Sequence, residues 1–242
     1  VDQIRISAKN LGQVMLDDFC PRCYWIRLKS SKLPWQIFPG IFSSIDAYTK
    51  RVVHAIIDSK SIPPKWMQDM GDIVGYRKTP HWSKFNTDIK KYGITLTGAA
   101  DDIFVTKSGG IIIPDYKTAK YTANQDKLLP MYQIQLNGYY VIAEACEIRP
   151  VIGLYLIYFE PVTDDEAAVK EAKGSIVFDG FAMAFKAHPV NMPIDRALLN
   201  EAMEKTRAIY DLAEPPDSRA DCEDCQILNQ IYGLSSGHHD PS

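Results

Sequence analysis

Residues 151–159 read VIGLYLIYF, a run that is apolar at almost every position. A strand with one wet face alternates apolar and polar side chains, so a run without that alternation is buried on both faces and sits inside a sheet. Arg149-Pro150 breaks a helical pattern just before it, and another begins at Thr163 just after it, so helices are at hand to cover the sheet. The expectation is an α/β chain with a mixed central β-sheet flanked by helices, in which 151–159 is a central strand. With 242 residues there is chain enough for one sizeable domain, expected to span 1–242.

The other periodicities fill in that plan. Leu11, Val14, Met15 and Phe19 are spaced as in a short helix over 10–18, and Cys20-Pro21-Arg22-Cys23 reads as a turn at its end that presents two sulfurs. Residues 34–40 form a loop carrying Trp35 and Phe38. A helix over 44–58 has Ile45, Tyr48, Val52, Ala55 and Ile56 on one side and carries His54, whereas 61–82 reads as an irregular connection. Helices are expected over 130–146 and 194–212, with Gly138 letting the first approach a neighbour closely, and the tail 235–242 is expected to be disordered. No segment approaches the roughly 18 consecutive apolar residues of a membrane span, and 1–15 lacks a signal-peptide pattern. The expected setting is therefore cytoplasmic, with no membrane partner.

Chemistry concentrates in residues 97–118, TGAADDIFVTKSGGIIIPDYKT. Ser108-Gly109-Gly110 is a hairpin-type turn between two apolar runs, which brings Asp101 beside Asp115 and Lys117. Asp115 and Lys117 are two apart and share one face of their strand. Paired carboxylates at a strand end suit a hard cation such as Mg²⁺, which takes oxygen ligands and keeps waters or phosphate in its other positions. Asp102 competes with Asp101 for this role, since alternation lets only one of them face the site.

The net charge of −3 conceals an asymmetry: residues 1–98 carry 15 Lys and Arg against 8 Asp and Glu, and residues 99–242 carry 12 against 22. Arg22, Arg27, Lys29, Lys32, Lys50 and Arg51 interleave with Trp25, Trp35 and Phe38 in the basic half, a mixture that suits a single-stranded polyanion held by charge and stacking, or else a partly aromatic core. Four of the five cysteines form two C-x-x-C pairs, Cys20/Cys23 and Cys222/Cys225, near opposite ends of the chain. Four thiolates can complete a zinc site or an iron–sulfur cluster and clasp the two ends together; reduced unligated thiols are the third reading.

The order His54, Gly98-Ala99-Ala100-Asp101, Asp115-Tyr116-Lys117, then Gln135 and Tyr139 one helical turn apart resembles the PD-(D/E)XK nuclease superfamily, in particular its RecB-like branch, which includes the CRISPR-associated iron–sulfur exonucleases. The resemblance covers roughly residues 10–230. It implies a restriction-endonuclease-like fold and a metal-dependent DNA nuclease. In that scheme His54, Asp101, Asp115 and the main-chain carbonyl of Tyr116 are ligands for Mg²⁺ or Mn²⁺, Lys117 assists the attacking water, and Gln135 and Tyr139 orient the site. It also implies a 4Fe–4S cluster on the cysteines, although relatives split them one and three where this chain has two and two, which leaves zinc as a competitor. The substrate expected is single-stranded or end-containing DNA, with RNA as an alternative polymer and a helicase or other DNA-processing protein as partner. The alternatives are a non-catalytic nucleic-acid-binding or assembly module on the same fold, and a redox or metal-sensing role for the cysteines.

Overall fold

The computed structural model describes residues 2–30, 39–122, 126–174 and 181–236. In chain order the elements are β1 (Ile4–Ser7), α1 (Ala8–Gly12), α2 (Pro21–Lys29), α3 (Gly40–Asp58), α4 (Lys65–Gln68), β2 (Ile73–Tyr76), β3 (Asn86–Ile89), β4 (Ile94–Thr97), β5 (Phe104–Thr106), β6 (Ile111–Lys117), α5 (Leu129–Ala145), β7 (Val151–Pro161), α6 (Asp165–Gly174), β8 (Phe185–Met192), α7 (Arg196–Tyr210) and α8 (Glu223–Ser236). Short 3₁₀ turns lie at Gln13–Met15 and Lys90–Tyr92.

The main sheet has the order β2-β5-β6-β7-β8 and is mixed: β6 and β7 run parallel, and the other neighbours are antiparallel. The 151–159 run is the interior strand β7, held between β6 and β8, while the middle place belongs to β6. Side chains of β6 alternate between two cores. Ile111 and Ile113 join a large one with Ile134 and Leu136 of α5 and Leu199 of α7, and Ile112 and Tyr116 join a smaller one with Val53 of α3 and Met67 of α4. Both faces are thus covered, as the missing polar alternation requires. A second sheet, β1-β4-β3, pairs β1 with β4 in parallel. Helix α5 runs close to α1, and a Cβ on Gly138 would stand 2.5 Å from Ala8 Cβ, so only glycine fits there.

Some elements differ from expectation for physical reasons. The 20–25 turn is the start of helix α2, because Pro21 occupies a first-turn position where its missing N–H costs nothing. The 61–82 connection contains α4 and β2. Helix α3 turns Val53, Ile56 and Ile57 toward the smaller core and leaves Tyr48 and Val52 exposed. Apolar residues lie on more than one side of this helix, so periodicity alone could not choose the buried one. The loop at 34–40 falls outside the described residues up to residue 38, as does the tail from residue 237, while Ser235 and Ser236 close α8. Among the described residues, no helix is long and apolar enough to cross a membrane.

Candidate active site

The second half of β6 builds the site because β5 stops early. Strand β5 pairs only with Ile111 and Ile112, which leaves β6 open on that edge from Ile113 onward. Pro114 has no N–H to strand there. Two residues on, the Tyr116 N–H donates to Asp101 Oδ2 at 2.7 Å, so the segment before β5 takes over the edge and sets Asp101 beside the end of the strand.

Asp115 and Lys117 lie on the α5 side of β6. Lys117 Nζ is 2.5 Å from Asp115 Oδ2 and 4.1 Å from the centre of the Tyr132 ring. Gln135 Nε2 donates to Asp115 Oδ1 at 2.9 Å and to the Tyr139 hydroxyl at 2.7 Å, so the helical i, i+4 pair is coupled directly to the carboxylate. Gly98 makes room for Tyr139: a Cβ on it would come within 2.9 Å of two Tyr139 ring carbons. Asp101, Asp115, Lys117, Gln135 and Tyr139 open onto one cleft of about 590 Å³, whose wall also carries Lys9, Asp46, Lys120 and Lys127.

Asp101 and Asp102 go to opposite faces. Asp102 is fully buried on the α3 side, where its carboxylate accepts from His54 Nε2 at 2.7 Å, the Tyr116 hydroxyl at 3.1 Å and the Ile103 N–H at 3.0 Å. His54 also stacks on Tyr76 with ring centres 3.6 Å apart. The structure therefore brings Asp101, Asp115, Lys117, Gln135 and Tyr139 together, and places His54 on Asp102 instead of on the two cleft carboxylates. Among the described residues, no third His, Cys, Asp or Glu side chain joins Asp101 and Asp115 at ligand spacing.

Burial raises the pKa of both cleft carboxyls. Asp101, raised further by the charge of Asp115 and relieved in part by the Tyr116 N–H and by Lys117, is pushed up to about 7. Burial also raises Asp115, against the opposing pull of Lys117 and Lys9. Tyr139 is driven up by burial and then by Asp115. Asp115 Oδ2, though close to Lys117, has no aligned hydrogen-bond donor, and the nearby Gln135 Oε1 has none either. Two desolvated carboxylates that raise each other's cost of ionisation on one cleft fit a divalent cation, which would relieve both their repulsion and their lost hydration.

Sequence reasoning named His54 and Lys50 but missed Asp46, which shares their side of α3. Asp46, Lys50 and His54 are spaced by four and lie along one side of α3. Asp46 reaches the cleft wall and adds to the upward shift of both Asp101 and Asp115; Lys50 Nζ donates to the Asp101 carbonyl at 2.6 Å. That spacing of four was the available signal. Of the basic and aromatic residues in the first part of the chain, Lys32, Trp35 and Phe38 lie outside the described residues, and Lys29 sits 3.9 Å over the Tyr210 ring.

The four paired cysteines form a group of their own, with all four sulfurs within 4.8 Å of one another, and could hold a metal ion. Cys20 caps α2 and Cys23 lies in its first turn; Cys222 precedes α8 and Cys225 lies in its first turn. Burial opposes ionisation of Cys20, but the N–H groups of Cys23 and Arg219 and the Cys222 and Cys225 thiols outweigh it and bring the pKa down to about 6. Cys225 is raised to about 11, chiefly by burial. Cys146 stands apart, half-buried against the main core.

A family model described as the PD-(D/E)XK nuclease superfamily matches residues 51–229, a span that contains Asp101, Asp115, Lys117, Gln135 and Tyr139. No curated protein matches the chain. Among solved structures, one described as "Crystal structure of SSO0001" is similar at 12% identity over 89% of this chain and 80% of its own, with a TM-score of 0.41.

Proposed function

Because the chain belongs to the PD-(D/E)XK nuclease superfamily, we propose that it is a metal-dependent nuclease hydrolysing phosphodiester bonds in DNA, on single-stranded or end-containing substrates. The observation that carries the reading is the convergence of Asp101, Asp115 and Lys117 on one cleft.

Asp101, Asp115 and the Tyr116 carbonyl are the groups assigned to Mg²⁺ or Mn²⁺. Such an ion supplies Lewis acidity at the phosphate and lowers the pKa of a bound water. The chain's own residues do the rest. Lys117, paired with Asp115, offers a positive charge and a movable proton where the water attacks and charge builds on the phosphate. Gln135 fixes the Asp115 carboxylate and is itself fixed by Tyr139. Lys9, Lys120 and Lys127 on the cleft wall suit the neighbouring phosphates of a polyanion. His54 is assigned the support of Asp102, which in turn holds Tyr116 through its hydroxyl. The four cysteines are assigned a second metal, separate from the cleft.

The test is a cleavage assay with Mg²⁺ or Mn²⁺ on labelled single-stranded, double-stranded and circular DNA and on RNA. Cleavage of the linear single strand, reduced at least ~100-fold by Lys117→Ala, is the expected result. Tight binding of the same strands without cleavage would replace the proposal by a non-catalytic nucleic-acid-binding module.

A further inference from the structure

We propose that the four cysteines hold a single tetrahedral ion of the zinc type, not an iron–sulfur cluster, and that this ion is what fastens residues 211–236 to the rest of the protein. The inference stands apart from the hydrolytic reading and uses none of the cleft residues.

Sulfur spacing carries the first half. Cys20 Sγ is 3.7 Å from Cys225 Sγ, and Cys23 Sγ is 3.7 Å from Cys222 Sγ and 3.3 Å from Cys225 Sγ. All four sulfurs lie within 4.8 Å of one another. A Zn–S bond of about 2.3 Å and a tetrahedral angle set the sulfurs of one ion about 3.8 Å apart. A four-iron cluster puts a cage of irons and sulfides between its thiolates and needs them spread much wider. The local backbone suits the compact arrangement. Each C-x-x-C opens a helix, α2 or α8, so both of its sulfurs project from one first turn, and the two turns face each other. The Arg219 N–H donates to Cys20 Sγ at 3.4 Å, the kind of outer hydrogen bond that steadies a thiolate ligand.

Burial carries the second half. Between residues 211 and 236, the only buried side chains among the described residues are Cys222 and Cys225. Ile227, Tyr232 and Leu234 of α8 are exposed, Leu228 and Ile231 are only partly covered, and the buried cluster that joins this segment to α2 consists of the cysteines themselves. Ties outside the cysteines include Trp25 Nε1 donating to the Leu212 carbonyl at 3.1 Å, Arg22 reaching Asn229 at 3.4 Å on the surface, and the exposed Asp211 carboxylate paired with Arg207 of α7 at the start of the segment. Apolar burial is what ordinarily fixes a helix to its domain, and among the described residues of α8 only Cys225 is fully buried. Four metal–sulfur bonds replace it. Losing the ion releases a local unit and leaves the α/β core folded.

The experiment is elemental analysis and visible absorption of protein purified anaerobically from cells supplied with both iron and zinc. Hydrogen exchange then follows, before and after the metal is removed with a thiol-directed mercurial and chelator. The expected result is about one zinc per chain with no visible band. On metal removal, amides of α8 should exchange at least ~10-fold faster while those of β6 and α5 keep their protection. Cys222→Ser should lose the zinc and show the same local release. Iron with sulfide and a visible band, or no bound metal, would overturn the single-ion assignment. Bound zinc whose removal leaves α8 exchange unchanged, or unfolds α5 together with α8, would overturn the fastening role. The wild-type exchange experiment decides the matter even if Cys222→Ser fails to fold.

Discussion

Replacing Asp102 with alanine removes the one acceptor shared by His54 Nε2, the Tyr116 hydroxyl and the Ile103 N–H. Asp102 and Ile103 are wholly buried and Tyr116 nearly so, so the last two donors cannot turn to water when the carboxylate goes. A buried donor left without its acceptor costs about 1–3 kcal/mol, whereas the His54 ring is partly exposed and can be rehydrated. The expected loss of stability is therefore about 3–5 kcal/mol, in the range for breaking a buried pair from one side. His54→Ala is milder: Asp102 keeps its other two donors, and a loss of about 1–2 kcal/mol is expected, from one hydrogen bond and the stack on Tyr76. Urea unfolding of both single variants and the double variant measures these values, and the double should lie close to Asp102→Ala alone, since the two side chains share one interaction. Titration of His54→Ala with Mn²⁺ should give an affinity within about threefold of wild type, because a residue held on the far face by Asp102 contributes no ligand. An Asp102→Ala cost below about 1 kcal/mol, or a tenfold or larger loss of Mn²⁺ affinity in His54→Ala, would refute the reasoning.

Two further outcomes follow from the cleft. Asp101 titrates near pH 7 and must give up its proton to bind a cation, so Mn²⁺ affinity should climb by up to about tenfold per pH unit from pH 5 and level off above pH 7. The metal-free protein should move the other way: a carboxyl whose folded-state pKa is raised adds stability below its unfolded value of about 3.9, and that stability is lost as pH rises through 7. Calorimetric titration and unfolding at pH 5, 6, 7 and 8 check both directions, and a flat affinity profile would contradict them. Gly98→Ala should lower stability by about 1–3 kcal/mol, because its Cβ would press on the buried Tyr139 ring, and an unchanged melting temperature would show that the contact is not tight.

The parts of the site that could be read from sequence are those fixed by local geometry. Strand alternation puts Asp115 and Lys117 on one face, and helical spacing puts Gln135 and Tyr139 on one face; the structure joins these two pairs through the Gln135–Asp115 hydrogen bond. The unalternating 151–159 run correctly demanded cover on both sides, and two separate cores supply it. What could not be read depends on how elements meet. The rotation of α3 about its own axis decides that Asp46 faces the cleft and His54 meets Asp102, and a helix with apolar residues on several sides does not announce that rotation. Strand β8 escaped notice because it carries Pro189, a residue at home on a sheet edge, and β8 is an edge strand. Helix α2 was obscured by Pro21, which marks a turn in one context and a helix start in another.

The central claim is that the cleft between β6 and α5 holds a divalent cation on Asp101 and Asp115. Isothermal titration of Mn²⁺ into wild-type protein and Asp115→Asn, both shown by circular dichroism to be folded, tests it most directly. The wild type should show a binding event that is weakened at least ~30-fold or lost in the variant. Equal Mn²⁺ binding by the two proteins would contradict the claim.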